Sequence, residues 1–279
     1  MTKYILFVFL CLFQFGYTDS RPHVFMSIQA QEFWTKKIVQ DKVKLTSLIQ
    51  SGYDAHTYEP KPIIMQEMAD SPLFLAIGVE FERIWLKRFS SNNPQMKIVK
   101  TQSGVRKIGN HQHGHGHSTY DPHIWLNVQN VKMIAQNSLM AIIQIDPQNK
   151  DFYLNNYKIL EKELDMLYTQ LQAQLTPVKR RTFMVLHPSW GYFAAEFGFT
   201  QLPIEIDGRE PRGKELNRIL KIARQEKITL IVTQKGYSDR VARQIAQDLK
   251  IGVVELDPLG GEWEQNMRKF ATILTQVAS

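Results

Sequence analysis

Cysteine is almost absent: the chain of 279 residues holds one, Cys11. It sits inside an apolar run at residues 4–15, with Leu10 before it where a lipidated cysteine needs a small residue. A lipid anchor is therefore not expected. Beyond that run the chain has no thiol, which excludes a thiolate metal site and a disulfide framework and suits an oxidising compartment. Long apolar runs are missing as well. A membrane-spanning helix needs ~20 apolar residues, and the run at 4–15 is far shorter. Behind the basic start Met1-Thr2-Lys3 it reads as a secretory signal over residues 1–20, although no small-x-small cleavage pattern stands near Gly16-Tyr17-Thr18. Charge of one sign is nowhere concentrated. The net charge of +7 is spread along the chain, and Lys36-Lys37 and Lys179-Arg180-Arg181 are isolated clusters. Without a basic stripe, nucleic acid is not an expected partner. Also missing is the His-Glu-x-x-His helix of zinc hydrolases, and Glu59 beside His56 is too isolated to serve as a base.

Roughly 260 residues remain after the signal, enough for one large or two ordinary domains. They alternate between strand and helix patterns. Strands are predicted at residues 24–28, 43–49 and 73–77, with helices through Phe33–Val39, from Pro62 toward Met68, and at 81–89. The segment 127–145 carries Val131, Ile134, Ala135, Leu139, Ile142 and Ile143 at helical spacing, and Asp146-Pro147 breaks it. A second helix follows, with Tyr153, Tyr157, Leu160, Leu164, Leu167, Leu171 and Leu175 spaced by three and four up to Thr176-Pro177. About 25 residues of helix would span about 38 Å, the scale of a small domain. It could stiffly join two lobes or be the long helix of one. Strands are then predicted at 182–186, 202–206, 228–233 and 251–256. Helices are predicted at 189–197, 215–225, 238–250 (with Ser238 as the cap) and 262–278. The fold class is α/β with parallel sheets flanked by helices.

Histidine is what the chain has and uses unevenly. All but one of its eight histidines fall in four segments: Asp54-Ala55-His56-Thr57-Tyr58-Glu59-Pro60, the run His111-Gln112-His113-Gly114-His115-Gly116-His117, Asp121-Pro122-His123-Ile124-Trp125-Leu126, and Leu186-His187-Pro188-Ser189-Trp190-Gly191-Tyr192. Neutral imidazole is the commonest side-chain ligand for borderline transition metals. Taken singly, a histidine before a proline is an ordinary loop residue. The convergence carries the argument, because ligands in open α/β sheets bind beyond the carboxyl ends of strands. His187 and Asp257 directly follow predicted strands, His56 lies in the loop after another, and His123 stands before the long helices. Two come from each half, so a shared site is expected in the cleft between lobes. Three imidazoles and a carboxylate suit Zn²⁺. Mn²⁺, which prefers more carboxylates, is the alternative. His111, His113, His115 and His117 form a Gly-interleaved accessory loop that could sample metal and pass it to His123. Affinity should fall with acid as the imidazoles protonate.

At these residues the chain resembles the zinc- and manganese-specific solute-binding proteins of ABC importers. The blocks Asp121-Pro122-His123-Ile124-Trp125-Leu126, His56-Thr57-Tyr58-Glu59-Pro60, His187-Pro188, Glu210-Pro211 and Leu256-Asp257-Pro258-Leu259-Gly260 carry the resemblance. It implies two α/β lobes joined by one long rigid helix, with residues 21–126 and 178–279 as the lobes and 127–177 as connecting helices. It implies one metal between them on His56, His123, His187 and Asp257. It implies a monomeric periplasmic receptor, not an enzyme, that delivers zinc to an ABC permease. Glu82, Glu210 and Glu215 are candidates by position for permease contact. A metal buffer or adhesin on the same fold is the rival reading. The chain departs from the family pattern at Asn127-Val128, where an acidic residue and proline are usual, and at Arg212, where serine is.

Overall fold

The computed structural model describes residues 19–55, 58–109, 120–206 and 208–277, the last without its side chain. The expected signal segment lies almost wholly outside these, as do His56 and the loop carrying His111, His113, His115 and His117.

Among the described residues, two four-stranded sheets account for the strands. In the first half, β1 (His23–Ile28), β2 (Lys44–Ile49), β3 (Leu73–Ala76) and β4 (Lys97–Lys100) lie in the order β2-β1-β3-β4. In the second, β5 (Thr182–Val185), β6 (Thr200–Pro203), β7 (Leu230–Gln234) and β8 (Gly252–Leu256) lie in the order β6-β5-β7-β8. Every pairing between these eight strands is parallel. The two lobes therefore share one topology: each chain path starts in the middle, goes outward on one side, and returns across to the other. That reversal opens a crevice at the carboxyl ends of the first and third strands of each sheet. Parallel strands covered on both faces are apolar throughout, and β1, β3 and β7 are almost continuously buried.

The helices of the first lobe are α1 (Gln31–Val39), α2 (Pro62–Glu67, continued by a 3-10 turn) and α3 (Glu82–Asn92). Helix α4 (Val128–Ile145) and the 26-residue α5 (Lys150–Leu175) follow. Asp146, with a non-helical backbone, and Pro147 separate them. Helix α5 buries Tyr153, Leu160, Leu164, Leu167, Leu171 and Leu175, the stripe its spacing predicts. It packs on α1 and α4 at one end and on the last helix, α9 (Trp263–Val277), at the other. It thus joins the lobes. In the second lobe stand α6 (Gly191–Phe197), α7 (Lys214–Gln225) and α8 (Arg240–Leu249). None of the described helices is long and apolar enough to cross a membrane.

Three sequence expectations need correction. Strand β4 was not foreseen: Lys97-Ile98-Val99-Lys100 offers two apolar residues between lysines, the pattern of a protected edge strand. Strand β6 starts and ends earlier than residues 202–206, because its register with β5 is set by Thr182 opposite Thr200. Ser238 does not cap α8. Asp239 occupies that position without a side-chain cap bond and instead pairs with Arg243 at 2.6 Å.

Candidate metal centre

His123 and His187 are neighbours, with ring centroids 5.4 Å apart and planes at 75°. Both are 8% exposed. His123 sits in the turn after Asp121-Pro122. The Asp121 carboxylate accepts the His123 backbone N–H and contacts its ring Nδ1, both at 2.8 Å. His187 is separated from the end of β5 by one residue, at the crevice beside β7, and the intervening Leu186 N–H donates to Val232 at 2.8 Å. Its Nδ1 lies 2.9 Å from Glu205 Oε2. An ionised carboxylate only accepts, so each Nδ1 must carry the proton and Nε2 keeps the lone pair a metal needs.

Sequence reasoning missed Glu205 as a site residue. Backbone pairing continues past β6: Ile204 donates to Val185 and Glu205 to Leu186, at 2.8 and 3.1 Å. That register brings Glu205 beside His187. The signal was an acidic residue alternating with Ile204 and Ile206 at the end of an apolar strand, a poor place for a charge with no task.

The support of Asp121 comes from the other lobe. The Tyr192 hydroxyl on α6 donates to the Asp121 carbonyl and accepts from the Ile108 N–H, each at 3.2 Å. An antiparallel bridge joins Gly109 and Tyr120, which flank the histidine run in the chain. Burial pushes the Tyr192 hydroxyl up to about 12, so it remains protonated. A Cβ at Gly191 would collide with Asp121 Oδ2, so glycine permits this approach.

Asp257 follows β8 as expected, and its Oδ1 accepts from the Leu259 N–H at 3.2 Å. It lines a cleft of about 480 Å³ together with Gln29 and Ser51 of the first lobe and Lys235 and Glu262 of the second. The next residue is tied to the His123 segment, since Trp125 Nε1 donates to the Pro258 carbonyl at 2.7 Å. Trp263 Nε1 then donates to the Trp125 carbonyl at 2.8 Å. Tyr237, after β7, lays its ring 5.4 Å from that of His187. Burial and the charge of Asp54 hold its hydroxyl far above the usual phenol range. Among the described residues no three His, Asp or Glu side chains converge closely enough to enclose an ion. What is described is a histidine pair with a carboxylate behind each ring, and Asp257 on a cleft whose lining includes neither histidine.

Of the three acidic residues expected at the surface, Glu82 is not there. It is 5% exposed, and its carboxylate accepts from Ser27 at 2.6 Å and from the N–H groups of Ile77 and Gly78 at 2.8–3.1 Å. Glu210 and Glu215 are solvent-facing and pair with Arg240 and Arg209.

A family model described as zinc-uptake complex component A, periplasmic, matches residues 24–278. The chain is 27% identical over 262 residues to the high-affinity zinc uptake system protein ZnuA of Bacillus subtilis, covering 88% of this chain and 82% of that one. It is 26% identical to the manganese ABC transporter substrate-binding lipoprotein PsaA of Streptococcus anginosus, covering 78% and 74%. Against a solved crystal structure of ZnuA the TM-score is 0.88 at 31% identity, covering 93% of this chain and all of that one.

Proposed function

The chain belongs to the periplasmic zinc-uptake component A family of zinc- and manganese-binding receptors, and from that premise we propose that it captures Zn²⁺ outside the cytoplasmic membrane and hands it to an ABC permease. His56, His123, His187 and Asp257 are the ligands in this reading, with His111, His113, His115 and His117 as a low-affinity accessory set. Residues 1–20 direct export, 21–126 and 178–279 are the lobes around the ion, 127–177 join them, and the receptor works as a monomer without catalysis.

The observation that carries the reading is the His123–His187 pair, each ring backed at 2.8–2.9 Å by a carboxylate. Such carboxylate–imidazole pairs orient the ligand and raise its basicity. Relatives take zinc or manganese. An imidazole-rich ligand set favours Zn²⁺ over the harder Mn²⁺. The test is metal content of the exported protein purified without added metal, beside His123→Ala. One zinc per chain, lost in the variant, is the expected result. Manganese in its place would move the function to manganese uptake, and refusal of both metals by apo-protein at neutral pH would overturn the reading.

A further inference from the structure

The loops that leave β2 and β7 meet across the two lobes with backbone against backbone. Gly52 and Gly236 have φ values of 82° and 86°, in the left-handed region. A Cβ on Gly236 would collide with the Gly52 carbonyl and stand 2.8 Å from its Cα. Glycine at 236 is thus required twice, by its own backbone angle and by the closeness of the opposite lobe.

One residue further, Tyr237 makes contacts at both ends of its side chain. The ring lies against His187, at 5.4 Å and 31°. The hydroxyl donates to Asp54 Oδ1 at 3.0 Å. Asp54 belongs to the first lobe and stands two residues before His56 in the chain. A single side chain of the second lobe therefore touches a site histidine and grips the segment of the first lobe that carries another candidate ligand.

We propose that Tyr237 is a positioning residue which, with the Gly52–Gly236 contact, latches the two lobes together and sets how fast bound metal leaves. The inference rests on the metal-binding reading above, with His56 among the ligands. An ion held by ligands from both lobes escapes only after one ligand segment withdraws. The described residues 52–55, which lead to His56 in the chain, cannot withdraw without breaking the Asp54–Tyr237 hydrogen bond and parting the two glycines. Each contact that must break first slows departure, and differences in such binding reside mostly in the dissociation rate. Tyr237 also packs its ring against the His187 ring, so loss of its grip on Asp54 is felt at both segments.

The test is zinc dissociation from the full exported chain into excess chelator, followed by stopped flow. Wild type is compared with Tyr237→Phe, Asp54→Ala, the double variant and Gly236→Ala. Tyr237→Phe keeps the ring on His187 and removes only the hydroxyl. Each single change at 54 or 237 is expected to speed release about 5- to 10-fold, the worth of one hydrogen bond. The double variant should be no faster than the faster single one, because both remove the same contact. Gly236→Ala should also release faster. Single variants within about twofold of wild type, or a double variant equal to the product of the singles, would overturn the latch. A wild-type chain that holds zinc while the variants release it at the same rate sinks the latch alone. A wild-type chain that takes up no zinc overturns both the latch and the receptor reading.

Discussion

Behind each described site histidine stands one acceptor, and the two are reached differently. Asp121 is two residues from its imidazole, within a short motif, whereas Glu205 comes from a neighbouring strand. In the proposed receptor, removing either leaves the imidazole present but its ring unoriented. Asp121→Ala and Glu205→Ala are each expected to weaken zinc binding about 10- to 100-fold, read by chelator competition, with the fold intact by circular dichroism. Gly191→Ala should move affinity in the same direction, because its methyl would push into the Asp121 carboxylate. The His123–Asp121 pair was legible in the sequence because both residues lie in one short motif. Glu205 was not, because its role depends on a register that only β5 and β6 together define. Glu82 misled for a related reason: an acidic residue at a helix start can as well bind the loop N–H groups before it as face solvent.

The junction into α4 is where the chain departs from its family pattern, and the departure has a physical use. Asn127 caps the helix, its side chain accepting from Asn130 N–H at 2.7 Å. Val128, where a proline would have no N–H, donates to Glu196 at 3.0 Å, tying the connecting helix to α6 of the second lobe. Asn127→Ala is expected to lower stability by about 1 kcal/mol in urea unfolding. Burial holds the Glu196 carboxyl up at about 7, against the pull of the Val128 and Gln129 N–H groups. A carboxyl whose folded pKa exceeds its unfolded value of 4.5 binds protons more tightly when folded. Its stabilising contribution is present in full below the unfolded value and is lost as pH rises through about 7. Relative to Glu196→Gln, wild type should therefore lose stability, by on the order of 3 kcal/mol at most, between about pH 4.5 and 7.5. A difference independent of pH would contradict this assignment. Elements with strong periodicity, such as α5 with its leucine stripe, were legible from sequence within a few residues of their ends. Edge strands were not: β4 has too few apolar residues to register, and β6 takes its limits from its partner.

Among the described residues, the larger of two apolar clusters runs through both lobes. It links Phe25 and Phe74 of the first sheet, Leu164 and Leu171 of α5, and Phe183, Trp190 and Phe270 of the second lobe. A separate cluster under α7 and α8, with Ile219, Ile231 and Ile245, covers only the outer face of the second sheet. Lobes that share a core cannot unfold independently, so calorimetry is expected to give one transition across both. Two resolved transitions would show that the connecting helix carries less than its packing implies. Leu164→Ala, which hollows the shared core, should lower the stability of that single transition by about 2–5 kcal/mol. Zinc at about 100 times its dissociation constant should add about 2.7 kcal/mol. The shared topology of the sheets, second-first-third-fourth in each, was only half legible. The rhythm of strands and helices repeats in the chain, but the order within each sheet is a property of pairing, and no residue-level repeat announces it.

Trp125 gives this architecture a voice of its own. Its indole lies 5.4 Å from the His123 ring, its N–H is held by Pro258 beside Asp257, and its carbonyl is held by Trp263. A fluorophore fixed at both ends and set against the imidazole proposed as a ligand is expected to change its emission when that imidazole gains a cation. The arrival and departure of metal should be visible in ultraviolet light from the unlabelled protein, and Trp125→Phe should darken the signal while the other tryptophans go on glowing unchanged.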